Sequence, residues 1–146
     1  MLNIFIKTFI FIFFISSPIY SFEIKWVVDG LNEPESAVFD KKNSAIYISN
    51  INGDPLKLDK NGYISKISVD GQILEKKWIK GLDAPKGMTI FNDHLFVADI
   101  NKIWKINILN KKKQFFSVNG AGFLNDLVVD KKGRIYASDM FKNRIY

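Results

Sequence analysis

Apolar residues along this chain alternate with polar ones or run in fours and fives, and they rarely fall at helical spacing. The runs are rich in Ile, Val, Phe, Tyr and Trp, and Gly, Asn, Asp and Lys separate them. That pattern predicts short strands joined by tight turns. Asn61-Gly62, Asp70-Gly71 and Lys132-Gly133 mark turns outright.

The runs also recur in a fixed order. One copy opens at Trp26, passes Gly30-Leu31, and continues through Glu35-Ser-Ala-Val-Phe-Asp40, a turn, and Ala45-Ile-Tyr-Ile-Ser-Asn50. The next opens at Trp78, passes Gly81-Leu82, and continues through Lys86–Phe91, the Asn92-Asp93 turn, His94–Asp99 and Lys102–Ile108. A third runs through Phe115-Phe116, Gly120, Asn125–Asp130, the Lys131–Gly133 turn, Arg134–Asp139 and Arg144–Tyr146. A period in the forties with about four short strands per period is that of a β-propeller. A β-sandwich is the rival architecture, but it does not predict the same order three times. The expected fold class is therefore all-β, a propeller of four-stranded blades. About three blades are present, roughly half of a six-bladed ring, since propellers usually close with about four to eight. On this reading Glu23–Val28 matches the last strand of a unit, and the tryptophans serve packing between blades.

The first residues need separate treatment. Met1–Ser21 has Lys7, an apolar run from Phe9 to Ile15, and then Ser16, Ser17, Pro18 and Ser21. That layout predicts a signal peptide over 1–21, followed by the partial propeller domain over 22–146. A spanning helix needs about 20 apolar residues, which the run does not reach. The expected location is periplasmic or secreted, with no stable membrane anchor after cleavage. Cysteine is absent, which removes disulfides, thiolate metal sites and cysteine nucleophiles. The net charge of +6 is scattered, and Lys111-Lys112-Lys113 reads as a loop tip, so no nucleic-acid partner is expected.

Glu35, Lys86 and Asn125 hold one repeat position, each opening an otherwise apolar strand. In a propeller the first strands line the axis, so these side chains would converge. Spacing alone leaves two readings open: polar rim residues in water, or a ring of groups around one central site. Asn50, Asp99 and Asp139 share another position, after the second strand, where a side-chain oxygen is expected to accept turn N–H groups. His94 sits at a turn without partners for Ser–His–Asp chemistry. The Ile51–Asn61 insertion reads as a loop that could overhang the mouth of the site.

The motifs Glu35-Ser-Ala-Val-Phe-Asp and Asn125-Asp-Leu-Val-Val-Asp-Lys-Lys-Gly-Arg-Ile-Tyr resemble those of the gluconolactonase / senescence-marker-protein (regucalcin-like) family. Asp139-Met-Phe-Lys-Asn-Arg-Ile also resembles NHL-repeat propellers, many of which only bind. The first resemblance implies a six-bladed propeller with one divalent cation on its axis, hydrolysing sugar lactones or related esters. By position, Glu35 and Asn125 would be metal ligands. Oxygen ligands of this kind suit a hard ion, so Ca²⁺ leads, with Mg²⁺, Mn²⁺ or Zn²⁺ as alternatives. Asp126 would orient Asn125 or accept a hydrogen bond behind it; a plain turn role is equally open. Lys86 departs from the pattern, because a cation repels a divalent ion at short range. Its plainest reading is an ammonium that snorkels to the rim; the others are contact with an anionic substrate, or no metal. Two function classes follow: an exported lactone or ester hydrolase, and a non-catalytic propeller that binds a small ligand or protein.

Overall fold

A computed structural model of the chain describes residues 22–146 and is all-β over them. The signal-peptide reading of 1–21 lies outside the described residues. The strands are β1 (Pro34–Asp40), β2 (Ala45–Asn50), β3 (Gly62–Ser68), β4 (Ile73–Leu82), β5 (Pro85–Phe91), β6 (His94–Asp99), β7 (Lys102–Asn107), β8 (Lys113–Ser117), β9 (Leu124–Val129), β10 (Ile135–Asp139) and β11 (Arg144–Ile145). They form three antiparallel meanders: β1-β2-β3-β4, β5-β6-β7-β8 and β9-β10-β11. Among the described residues the sheets do not close a ring.

Local chemistry sets the turns. Asn92 and Asp93 form the two-residue connection between β5 and β6, both at positive φ (45° and 58°). That is the conformation of the hairpin turn whose twist matches the strands, and Asn and Asp tolerate it best after Gly. After β1, the Asp40 carboxylate accepts from Lys42 N (3.0 Å) and Asn43 N (3.1 Å), closing the turn into β2.

The core lies between sheets. Along β6, Leu95 and Val97 point to one side and Phe96 and Ala98 to the other, as the period of two requires. The first pair joins Met88, Trp104 and Ile106 against Tyr47, Ile64, Trp78, Ile79 and Leu82 of the first sheet. The second joins Ile103 against Leu124, Leu127 and Ala137 of the third. The middle sheet is thus buried on both faces, which is why β6 is nearly all apolar. Each buried Leu, Ile or Val contributes roughly 1.5–3 kcal/mol.

Two expectations need correction. Glu23–Val28 is not a strand. Its repeat counterpart in β4 pairs with β3, whereas Glu23–Val28 pairs with no strand among the described residues. Trp26 is accordingly off any strand and more than one-third exposed. It donates its indole N–H to Val69 O (3.0 Å) and lies on Gly71, at the turn between β3 and β4. Trp78, by contrast, is buried in β4 and packs on Tyr47, ring centroids 4.5 Å apart and tilted by 40°.

Tyr47 carries a flaw in this core. Its hydroxyl is buried with no hydrogen-bond partner. Burial, with Asp40 adding to it, pushes its pKa up to about 12. Tyr47→Phe removes the stranded hydroxyl and keeps the ring. The expected result is a stability gain of about 1 kcal/mol by urea denaturation; a loss of that size would mean the hydroxyl is paired.

Candidate functional site: three bulges at the strand openings

The first strand of each sheet begins with the same irregularity. In β1, Pro34 pairs with Asn50 and Ser36 with Ser49, which leaves Glu35 as an extra residue. In β5, Pro85 pairs with Asp99 and Met88 with Val97, so Lys86 and Gly87 together face Ala98. In β9, Leu124 pairs with Asp139 and Leu127 with Ala137, so Asn125 and Asp126 face Ser138. Each is a bulge of one residue, a feature that bends a strand and re-aims a side chain next to functional sites. The repeat position singled out in the sequence is therefore a bulge position in all three sheets.

Two side-chain devices hold these bulges. Ser49 Oγ accepts from Ser36 N (3.0 Å) and donates to Ser36 O (3.4 Å). Ser138 Oγ repeats this with Asp126 N (3.1 Å) and Asp126 O (3.4 Å). Both serines stand opposite the bulge. The second device is the buried oxygen ending the second strand. Asp99 accepts from Asp83 N (2.9 Å) and Ala84 N (2.7 Å), and Asp139 from Gly122 N (2.7 Å) and Phe123 N (3.1 Å). Asn50 accepts more weakly from Asn32 N (3.2 Å). The expected role of Asn50, Asp99 and Asp139 is thus what the structure shows: they tie the incoming loop to the sheet just before the bulge. Burial alone would raise the Asp139 pKa. The N–H donors of Gly122, Lys142, Phe123 and Phe141 outweigh it, so the carboxyl is held below its ordinary value.

The bulges meet. Gly87 in β5 packs directly on β9: a Cβ there would stand 2.6 Å from Asp126 Cα and 2.9 Å from Asn125 O. Only a residue without a side chain permits this approach. Glu35 and Asp126 are exposed, Asn125 is half-buried, and Lys86 lies beneath at 1% exposure. The Lys86 ammonium donates to Ala84 O (2.8 Å), approaches Pro55 O (3.5 Å) and sits 4.2 Å over the Phe123 ring. The expected snorkel to the rim is therefore overturned. A carbonyl and an aromatic face hold the ammonium inside instead, the latter through a cation–π contact. Pro55 belongs to the Ile51–Asn61 insertion, so this loop does reach the site.

The charges act on one another. Burial raises the Glu35 pKa above its ordinary value; Lys86 pulls it back down, and Asp126 adds a push upward. Burial lowers the Lys86 pKa, and Asp99 and Glu35 partly offset it. One group from each sheet thus contributes to a single electrostatic cluster: Glu35, Lys86 and Asp126. His94 is apart from it, its Nδ1 2.7 Å from Asn92 O at the other end of the strands.

Glu35, Asn125 and Asp126 offer hard oxygen donors. The equivalent place in the middle sheet holds an ammonium. No group of three His, Cys, Asp or Glu able to hold a metal ion occurs among the described residues. The positive charge of Lys86, which acts on Glu35, would oppose a divalent cation at short range. Phe123, Pro55 and the two serines escaped sequence reasoning. The serines had a signal, since Ser49 and Ser138 share one repeat position; Phe123 and Pro55 reach Lys86 only through the fold. Neither a protein-family model nor a curated protein matches the chain.

Proposed function

We propose that the three sheets are neighbouring blades of a β-propeller, about half of a six-bladed ring, with β1, β5 and β9 along its axis. The protein, on this reading, binds a small polar molecule where the three bulges meet. One observation carries it: Glu35, Lys86 and Asp126 each come from the opening bulge of a separate sheet, and their charges act on Glu35 together. The exposed carboxylates and the half-buried Asn125 amide are the groups a ligand's hydroxyls would meet. Lys86, buried below, fixes the charge of the floor. With residues 1–21 read as a signal peptide, the ligand is met in the periplasm or outside the cell.

The second reading is a lactone or ester hydrolase of the gluconolactonase-like type. The raised pKa of Glu35 favours it, since a carboxyl nearer neutrality is a better general base. Calorimetry and a hydrolysis assay with a sugar lactone and its open hydroxy acid separate the two. We expect binding that survives EDTA and weakens about tenfold or more in Glu35→Gln, the loss of one charge-assisted hydrogen bond. Turnover above the buffer rate that falls in Glu35→Gln selects the hydrolase. Ca²⁺ binding that is lost in Glu35→Gln would restore a metal site and contradict the lysine-based one. Ligand binding indifferent to Glu35 rejects the hub altogether.

A further inference from the structure

The sheets stack front to back in one sense only. The register shows which positions correspond. On one face, here the front, the central pairs are Ala37–Ile48, Met88–Val97 and Leu127–Ala137. On the other, the back, they are Val38–Tyr47, Thr89–Phe96 and Val128–Tyr136. The third strands add Ile64, Ile103 and Ile145 to the back, opposite Ser49, Ala98 and Ser138.

The back of the first sheet, with Tyr47 and Ile64, packs on the front of the second, with Met88 and Val97. The back of the second, with Phe96 and Ile103, packs on the front of the third, with Leu127 and Ala137. Both interfaces use the same two surfaces in the same order. Among the described residues two such surfaces are left without a second sheet. The back of the third sheet exposes Val128 (59%), Tyr136 (39%) and Ile145 (65%), while its counterparts Phe96 and Ile103 in the second sheet are buried. The front of the first sheet lines an apolar cleft in which Ala37 is exposed and Ile48 and Ile67 are already buried, with residues 26–28 along it.

We propose that the back of the third sheet docks on the front of the first sheet in a second copy of this chain. The occupant is specified by the molecule itself, because the new contact repeats two that already exist within it. The strand count points the same way. The third sheet has three strands where the others have four, and residues 26–28 line the open front without belonging to a sheet. They stand 52 positions before the Trp78 segment of β4, the strand that completes the first sheet. Docking brings a three-stranded sheet to residues 26–28, which belong to no sheet among the described residues. Such a contact is head-to-tail, so it either closes into a ring or continues as a chain of copies. It rests on the packing of the sheets and is independent of any ligand at the bulges.

Sedimentation and light scattering on the full chain test it, with Ala37→Asp on the front and Val128→Asp on the back. Both positions are exposed, so the fold should persist, and circular dichroism checks this; Ile145→Asp replaces Val128→Asp if the latter unfolds. The chain is expected to self-associate, and each variant alone to be at least tenfold weaker. An equimolar mixture of the two variants is expected to form a species of two chains, because one intact front then meets one intact back. A monomeric chain at the highest concentration reached overturns the proposal and leaves the surface to a different polypeptide. So does association that ignores both substitutions, or a mixture that fails to restore it, which is the signature of front-to-front or back-to-back contact.

Discussion

Asp99→Ala should cost about 4 kcal/mol or more, lowering Tm by roughly 15 °C. Asp99 is fully buried and accepts three hydrogen bonds, from Asp83 N, Ala84 N and the Trp104 indole N–H (2.8 Å). Alanine leaves all three donors buried and unpaired, at about 1–3 kcal/mol each. Against a typical total stability of about 5–15 kcal/mol, that is a large fraction. Asp99→Asn is expected to recover little. An amide has one acceptor oxygen, and its NH₂ would face a donor. The first sheet shows the arrangement in which asparagine does work. There Asn50 Nδ2 donates to Ile48 O and to Ser65 Oγ (each 3.0 Å), and Ser65 holds the place Trp104 holds in the second sheet. Asn50 with Ser65 and Asp99 with Trp104 are two solutions of one hydrogen-bonding problem. Urea denaturation of Asp99→Ala, Asp99→Asn and Asn50→Asp checks this; an Asp99→Asn variant as stable as the parent would refute it.

Gly87→Ala is the second large effect, about 3 kcal/mol, the upper range for overpacking. The conformation of Gly87 is not left-handed, so strain in its own backbone is not the reason. The obstacle is distance. The added methyl would stand 2.2 Å from Asp126 Oδ1 and 2.6 Å from Asp126 Cα. A flexible carboxylate can rotate aside; a Cα in a paired strand cannot. β5 and β9 must then separate, and the loss should appear as faster amide exchange in β9 and β10 than in β1 and β2. Uniform exchange across the three sheets would show that the bulges of β5 and β9 do not bear on each other.

Much of this architecture was legible because strands announce themselves locally. Ala45–Asn50 and His94–Asp99 are bounded in the structure as the apolar runs predict. The Asn50, Asp99 and Asp139 position could be read because a buried oxygen recurring after a strand has few other uses. Equivalence of Glu35, Lys86 and Asn125 was also readable. What could not be read was register. A bulge is a relation between two strands, so neither Glu35 nor Ser49 reveals it alone. Lys86 misled for a related reason. Its long apolar stem and charged tip suit the surface, and the groups that hold it inside are remote in sequence: Phe123 and Pro55. Glu23–Val28 has strand-forming composition, but composition supplies no partner strand.

Glu35, Lys86 and Asp126, one from each sheet, form one electrostatic cluster in which the other two act on Glu35. The titration of Glu35, followed by NMR of its side-chain carboxyl carbon, tests it most directly. Lys86 lowers this pKa and Asp126 raises it, so Lys86→Met should shift it up and Asp126→Asn should shift it down. Shifts of opposite sign in the two variants are the predicted result. A Glu35 that titrates identically in the parent and both variants would contradict the account.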